Sequence, residues 1–429
     1  MKRTFFFFCL LLLPLFPVYG QQQLDTKARI RAIRDAGRQG EDGIPAITPY
    51  LSDVDLSVRL EAVKALDEIG GPKTVDALVR ATRDNDPEIQ IRATDGLVNA
   101  YLPGYLKNGI SGTISRAGNS IKAKFTDTND QVIDPFIEVR ADVISALGRL
   151  ATGGASLESR ANACRALGIL RGRDAIPQIA EALHSKDDQV MYEGLIALQK
   201  IRDPSAGPRI TFLLRDLNPR IQITAIETAG LLRATEAAPG LRDALEHASD
   251  AKVRRAAVSA LGMLGDSADH ALFLRYLSDK DAALRAAGAE GLGRIKNPAD
   301  RPVVEKAFMN EHSMNPRLSM AFALVLLGNR DMSEFAPLRY LVNTLNNRSY
   351  RGVASAFLVE LARDPAVRQA IYPALTGATK DEKIQLGAVL ARSGEQDSVP
   401  YLETLQRDPD PDVAMESIRN LRTLRARLP

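Results

Sequence analysis

The residues that could support metal chemistry in this chain are its histidines, and their spacing does not favour a metal centre. The four histidines are His184, His247, His270 and His312. Two of them follow a glutamate, in Glu246-His247 and Glu311-His312, but these pairs stand far apart in the chain. Iron or zinc needs several imidazole and carboxylate ligands that converge on one point. We therefore predict no metal and no cofactor, and we interpret these histidines as polar surface residues.

A weak calcium-loop pattern begins at Asp127. Asp127, Asn129 and Glu138 match positions one, three and twelve of such a loop. Val132 takes position six, where the sharp turn needs glycine, so we expect a solvated acidic loop instead. The chain also lacks a nucleophile elbow, a phosphate-binding loop and a dinucleotide fingerprint. The sequence thus predicts no catalytic residue, and we expect that the protein is not an enzyme.

The elements that must position any site are repeats of about 31 residues, a period typical of solenoids. In the unit that starts at Asp250, that residue is a helix N-cap, and apolar residues from Val253 to Leu264 follow at spacings of three and four. Gly262 and Gly265 are predicted to close this helix. A second apolar stretch predicts a second helix. Two short helices cannot bury one apolar seam alone, so we predict a stacked array.

The repeated motif Asp-x-x-Val-Arg-x-x-Ala-x-x-Ala-Leu-Gly resembles HEAT repeats of the phycobilisome-lyase-like type. Residues 250–262 carry it in full and residues 55–66 in part. The resemblance implies an all-α, right-handed superhelical solenoid of the armadillo type, in which the second helices line the concave face. Relatives with this fold include deoxyhypusine hydroxylases, whose His-Glu pairs are missing here, and phycobilin lyases, whose tetrapyrrole pocket has no recognisable cluster here.

An arginine recurs at a fixed place in the motif. The residues at this place are Arg59, Arg140, Arg160, Arg254 and Arg285. Because they recur with the repeat, we interpret them as structural links between neighbouring units.

Residues 1–20 are predicted to be a signal peptide. Lys2 and Arg3 precede an apolar run that is too short to span a bilayer comfortably, and small residues stand before Gln21. We expect cleavage there and a periplasmic or secreted protein; a retained membrane anchor is the alternative. Cleavage would leave Cys164 as the only cysteine, which excludes an internal disulfide, and we interpret it as a buried packing residue.

Net charge and aromatic content argue against two classes of ligand. The chain carries a formal charge of +3 and no tryptophan, and loss of the basic signal residues would bring it closer to neutral. A nearly neutral chain has no general attraction for nucleic acid. Few aromatic residues are available to stack on bases or sugars.

Residues 101–136 interrupt the repeats and divide the chain into an N-terminal array (21–100), this insert and a main array (137–429). Residues 112–125 alternate apolar and polar side chains around a Gly-Asn turn, which predicts a β-hairpin. The insert residues predicted to contact a partner protein or a membrane surface are Tyr105, Arg116, Lys122 and Lys124. The alternative is a tolerated surface loop, since long loops reduce stability little.

A second candidate surface lies on the predicted second helices. Its residues are Arg209, Arg215, Arg242, Arg275, Arg339 and Asn343. Arginines in such a row would bind an acidic partner through bidentate hydrogen bonds to carboxylates. The alternative is ordinary helix polarity, or Arg–Asp pairs between repeats.

The sequence as a whole favours a non-catalytic scaffold that binds a protein or peptide partner in an exported compartment, without nucleic acid. Two other interpretations stay open. One is an enzyme or enzyme accessory of the lyase or hydroxylase type. The other is a structural envelope protein that associates with itself.

Overall fold

The computed structural model describes residues 25–105 and 131–428, and every regular element within these two ranges is helical. Aspartates begin many of the helices: the side chains of Asp55, Asp250 and Asp281 each accept a hydrogen bond from the backbone N–H two residues later. Such caps satisfy donors that the first helical turn leaves free. The predicted all-α solenoid of HEAT-like helix pairs is confirmed.

The α-helices are numbered in chain order through the described residues. The first five are α1 (Thr26–Gly37), α2 (Ile44–Ile47), α3 (Leu56–Ile69), α4 (Val75–Ala81) and α5 (Pro87–Tyr101). After residue 131 follow α6 (Ala141–Gly153), α7 (Leu157–Ile169), α8 (Ile176–Ala182), α9 (Asp188–Ile201), α10 (Pro219–Leu231), α11 (Ala238–Glu246), α12 (Ala251–Leu264), α13 (His270–Tyr276) and α14 (Ala282–Ile295). The last are α15 (Arg301–Asn310), α16 (Met314–Leu326), α17 (Pro337–Thr344), α18 (Arg351–Leu361), α19 (Pro365–Ile371), α20 (Lys380–Ser393), α21 (Val399–Leu405) and α22 (Pro411–Arg425).

The helices form two layers. The first helices of the repeats, such as α12, α14 and α16, have 11 to 15 residues and pack side by side along the array. The second helices are mostly 7 to 10 residues long and cover one side of this layer. Between α9 and α10, a 3₁₀ helix (Pro204–Arg215) that contains Pro208 replaces the second helix. The core is a long apolar seam between the two layers, with a small separate cluster formed by Val258, Tyr276, Leu284 and Ala287.

The array curls with its first helices on the inside. Arg233, at the end of α10, and Arg294, in α14, both donate to Glu360 of α18, at 2.6 and 3.1 Å. Farther round, Arg419 of α22 donates to Asp134, which precedes α6, at 2.9 Å. Repeats this far apart in sequence meet only across a concave surface. The expectation that the second helices line the concave face is therefore wrong, because the first helices are the more closely packed layer.

Glycine and alanine in the motif explain this close packing. A Cβ atom added at Gly293 of α14 would lie 2.6 Å from the Cα of Ala323 in α16. Gly262, which was expected to close its helix, lies inside α12, and a Cβ there would lie 3.0 Å from the carbonyl oxygen of Ala287. Only Gly265 ends that helix, with φ of 66°. The glycine of the Ala-Leu-Gly motif is thus needed for helix contact.

The repeat that contains the insert is complete, with α5 as its first helix and α6 as its second. Helix α6 lies in the second-helix layer, where Arg140 beside its first turn pairs with Asp76 of α4 at 2.6 Å. In the first-helix layer, α5 is followed directly by α7, and Asn162 donates to Asp95 at 2.9 Å. The insert therefore connects the two helices of one repeat. The predicted hairpin at 112–125 lies outside the described residues, as do Asp127 and Asn129 of the calcium-loop pattern.

The arginines at the motif position connect neighbouring segments, and Arg140 and Arg285 join neighbouring repeats, Arg140 through its pair with Asp76. Arg285 donates to the carbonyl of Asp279 at 3.0 Å and to Glu311 in the next repeat at 2.7 Å. Arg160 and Arg254 also bind the carbonyl six residues earlier. These side chains therefore cap the end of the preceding segment. Arg140 belongs to the second-helix layer and has different contacts.

Candidate binding surface

The concave face contains a groove formed by five successive first helices, α10, α12, α14, α16 and α18. It has a volume of about 490 Å³. Its lining residues include Ile223, Glu227, Lys252, Arg255, Ala256, Ala283, Ala287, Glu290, Asn315, Val353 and Phe357. The groove exists because the motif places alanine at the points where these helices face the concavity. Small residues leave a depression that larger neighbours then border.

The groove combines an apolar floor with charged walls. Ala256, Ala287 and Phe357 on the floor are almost fully buried. On one wall, Arg255 pairs with Asp281 at 2.7 Å. On another wall, the Glu227 side chain reaches solvent. The groove nevertheless surrounds its carboxyl enough that burial raises the pKa of this group. This arrangement resembles a polypeptide-binding surface, in which apolar area is surrounded by polar groups that fix orientation.

One end of the groove is closed by a network of charges. Arg294 binds Glu290 of its own helix at 3.0 Å and Glu360 of α18 at 3.1 Å, and its guanidinium lies 4.8 Å from the centre of the Phe322 ring. Ser319 donates to Glu290 at 2.9 Å. Both carboxylates of the network therefore have a cationic or hydroxyl partner. Burial alone would raise the pKa of Glu360, but hydrogen bonds from Arg294 help to hold it below its usual range. The network fixes the curvature at this point.

The structure places the predicted row of arginines in the outer layer. Arg215 pairs with Asp243 at 2.7 Å, and Arg242 pairs with Asp266 and Asp269 at 2.6 and 2.8 Å. These contacts link neighbouring repeats, which matches the alternative interpretation of Arg–Asp pairs. They leave less charge available for an acidic partner.

The other members of that row do not form one cluster. Arg275 is exposed, with its guanidinium 4.9 Å from the centre of the Tyr276 ring. Arg209 is exposed on the 3₁₀ helix. On α17, Arg339 is half-buried and Asn343 is exposed. None of these side chains faces the groove, and binding at them stays a prediction.

Among the predicted insert residues, only Tyr105 lies in the described part of the chain. Its side chain is 6% exposed, and burial is the main reason that its pKa is raised. It lies beside the ion pair of Arg165 with Glu193, which are 2.7 Å apart. Tyr105 is therefore a packing residue, and its prediction as a partner contact is wrong. Arg116, Lys122 and Lys124 lie outside the described residues.

The histidines do not converge. His270 contacts Asp300 at 2.9 Å, His184 stacks on Phe212 with ring centres 4.4 Å apart, and His247 contacts Asp243. Within residues 25–105 and 131–428, no three histidine, cysteine or carboxylate side chains are grouped so that they could hold a metal ion. In the same ranges, no helix has the length and apolar character needed to cross a membrane.

Sequence reasoning missed the groove because it assigned the concave face to the wrong helices. The usable signal was the alanine content of the first helices, in particular Ala283 and Ala286 of α14, which are not buried. In an amphipathic helix that packs on both neighbours and on a second layer, such exposed small residues mark the surface that remains free.

Comparison with known proteins agrees with this architecture. A family model described as HEAT repeats matches residues 21–98 and 207–272. The alpha subunit of phycocyanobilin lyase from Nostoc sp. (strain PCC 7120) is 30% identical over 149 residues, which cover 32% of this chain and 54% of that protein. The chain thus spans about half the length of this curated relative. The predicted likeness to HEAT repeats is confirmed, and the protein is a repeat scaffold.

Two solved structures are also similar to the chain. An engineered protein gives a TM-score of 0.39 at 17% identity, with 94% of this chain and 97% of that chain covered. The complex of CpcE and CpcF of phycocyanin lyase from Nostoc sp. PCC 7120 gives a TM-score of 0.32 at 20% identity, with 76% and 96% covered.

Proposed function

We propose that the protein is a non-catalytic HEAT-repeat scaffold that binds a segment of a partner protein along its concave face. The observation that supports this proposal is the groove across α10, α12, α14, α16 and α18. Its apolar floor provides area for burial, and its charged walls provide orientation. A surface that follows several successive repeats suits an extended or helical polypeptide better than a compact small molecule.

The proposal includes export of the protein. Its support is the pattern in residues 1–20: a basic start, a short apolar run and small residues before Gln21. Expression of the full chain in a bacterial host, followed by N-terminal sequencing of the periplasmic fraction, tests this part. Export predicts a mature chain that begins at Gln21. An uncleaved chain in the membrane fraction would instead support the retained anchor.

A second candidate function is participation in bilin attachment. It is favoured by the similarity to the alpha subunit of phycocyanobilin lyase. The test is to add phycocyanobilin to the purified protein and record the visible absorption spectrum. A saturable spectral shift that the groove variant Ala283→Trp abolishes would support this candidate over a scaffold without a small-molecule ligand.

Site-specific crosslinking tests the scaffold proposal. A photoreactive amino acid replaces Ala283, which is exposed on the groove wall, and in a matched variant it replaces Leu274, which is exposed on the second helix α13. The scaffold proposal predicts that one defined partner protein is crosslinked from position 283 and not from 274. A crosslink from 283 to a second copy of this chain would support self-association instead. Equal crosslinking from both positions would exclude the groove as the specific surface.

A further inference from the structure

Beyond the groove, five arginines from two distant parts of the array meet inside the superhelix. Arg171 and Arg202 follow the C-terminal ends of α7 and α9. Arg363 and Arg427 follow α18 and α22, and Arg392 lies in the last turn of α20. We call these five residues the arginine centre. The helices that carry them are brought together by closure of the array.

Hydrogen bonds between distant segments show that these helix ends converge. The backbone of residues 131–134 lies against the first group of helices, where Ile133 donates to the carbonyl of Ile169 at 3.0 Å and Lys200 donates to the carbonyl of Gln131 at 3.3 Å. The same short segment contacts the last helix through Asp134 and Arg419, at 2.9 Å. The ends of α7 and α9 therefore lie opposite the ends of α20 and α22.

The guanidinium groups are close enough to repel one another. Burial first, and then Arg392 and Arg202, lower the pKa of Arg171. Burial, Arg363 and Arg392 lower that of Arg202, and burial and Arg363 lower that of Arg427. All five side chains are exposed to solvent. Groups that reach solvent but are surrounded by protein on several sides lie within a concavity.

The positive charge of the centre is not neutralised by the described part of the chain. There, the side chains of Arg171, Arg202, Arg363 and Arg392 make no ion pair and no hydrogen bond, and Arg427 donates to the carbonyl of Ala391 at 2.8 Å. The carboxylates that act on the centre are engaged elsewhere: Asp134 by Arg419, and Glu395 by Arg368 at 3.3 Å. An anion that entered here would meet free donors.

Two of these arginines also occupy an unfavourable backbone conformation. Arg171 and Arg202 have φ of 51° and 56°, in the left-handed region. Gly265 stands at the equivalent helix end in a later repeat, with φ of 66°. Glycine adopts this conformation without a steric penalty, whereas an L side chain does not. Arg233 and Lys296, which are not part of the centre, have the same conformation at φ of 52° and 57°, so the left-handed helix end is a feature of the repeat. Its use here is practical, because glycine can replace Arg171 and Arg202 without backbone strain.

We propose that the arginine centre binds the carboxylates of an acidic segment of a partner polypeptide. Guanidinium groups bind carboxylates through paired hydrogen bonds. The space between helix ends is enclosed from two sides, which suits a single extended chain and excludes a nucleic acid duplex or a flat membrane. The inference rests on the proposed function, because the segment would belong to the same partner that lies in the groove.

Glycine substitution separates binding from folding. The double variant Arg171→Gly/Arg202→Gly removes two guanidinium groups and relieves two left-handed arginines. Lys296→Gly is the matched control, because Lys296 also has a positive φ, of 57°, and is not among the residues that lower the pKa of Arg171, Arg202 or Arg427. The probe is a fluorescein-labelled hexaglutamate peptide, and binding to the full chain is followed by fluorescence anisotropy at low and high salt.

We expect the peptide to bind, and the double variant to weaken binding about tenfold or more, since charge-assisted hydrogen bonds are the strong ones. Its melting temperature should equal or exceed that of the wild type, and Lys296→Gly should bind as the wild type does. Unchanged peptide affinity in the double variant would overturn the proposal. So would a lower melting temperature, because the arginines would then be structural caps of helix ends.

Inorganic phosphate and a single-stranded oligonucleotide test whether the arginine centre binds a different kind of anion. Binding of inorganic phosphate with no binding of the peptide would overturn the proposal in favour of a small-anion site. Tighter binding of a single-stranded oligonucleotide than of the peptide would also overturn it. The groove is tested separately by crosslinking at position 283. If the wild-type chain does not bind the peptide but gives a specific crosslink from position 283, the arginine centre alone is rejected. If it binds the peptide but gives no specific crosslink, the groove alone is rejected.

Discussion

Substitution of Arg285 by alanine should show how much the stability of one repeat depends on its contact with the next. Arg285 makes two bonds to Glu311, at 2.7 and 3.1 Å, and two to the carbonyls of Asp279 and Lys280. The Glu311 side chain is 7% exposed and that of Arg285 is 20% exposed. Removal of the arginine leaves a nearly buried carboxylate without its cation.

The expected magnitude follows from this geometry. Removal of one partner of a buried pair typically costs about 3–5 kcal/mol. Here the lower end applies, about 3 kcal/mol, because Arg285 is partly solvated and Ser313 still donates to Glu311 at 2.8 Å. Arg254→Ala is the control, because the Arg254 side chain donates one hydrogen bond, to the carbonyl of Ala248, at 3.1 Å. We expect it to cost a fraction of the Arg285 effect.

Urea unfolding at neutral pH, followed by circular dichroism and by hydrogen exchange of α14 and α16, measures the effect. Glu311→Gln in the Arg285→Ala background should restore part of the lost stability, because it removes the unpaired charge. The hydrogen bond from Arg285 is the main cause that lowers the pKa of Glu311. The stabilisation is thus complete above the unfolded pKa of a glutamate and is lost as pH falls through the folded pKa. Equal stability of Arg285→Ala and Arg254→Ala would refute this reasoning.

Three further outcomes are expected. Gly291→Ala should lower stability by about 1–3 kcal/mol, because its Cβ would lie 2.5 Å from the Phe273 ring; an unchanged melting temperature would contradict that contact. Burial raises the pKa of Glu227, so its charged form destabilises the folded chain at neutral pH. Glu227→Gln should therefore raise stability at neutral pH and lose this advantage as pH falls through the folded pKa of Glu227. Thermal melts at several pH values measure the gain, and an equal gain at every pH would exclude burial of the charge as its cause. The Cys164 thiol is fully buried with its pKa raised to about 12, so a thiol reagent should modify it only after denaturation; rapid reaction of the native chain would show that α7 opens readily.

The sequence predicted the helix pairs because two periodic signals act at short range. The aspartate at the start of α12 and the apolar spacing within it specify that helix without reference to the rest of the chain. The link from Arg285 to the preceding carbonyls is equally local, and the motif revealed it. The burial of Cys164 follows from the same periodicity.

Curvature could not be predicted in this way. It depends on how closely successive helices approach, and the contact of Gly293 with Ala323 becomes visible only when α14 and α16 are placed side by side. Reliance on the family pattern for the concave face placed Arg242 on the wrong surface. The position of α6 could not be predicted for a related reason, since this helix follows the motif arginine, Arg140, and yet lies in the outer layer.

The contact between Arg419 and Asp134 changes how stability is shared along the chain. In an open array of repeats, an event at one end reaches the other only through every unit between, and the ends fray independently. Here the ion pair between Arg419 and Asp134 joins α22 to the segment before α6, so the two ends of the main array are in direct contact. Extension of the main array therefore requires that this ion pair break first. Its last helix therefore packs on the repeat that precedes it and also contacts, through one ion pair, a residue 285 positions earlier in the chain.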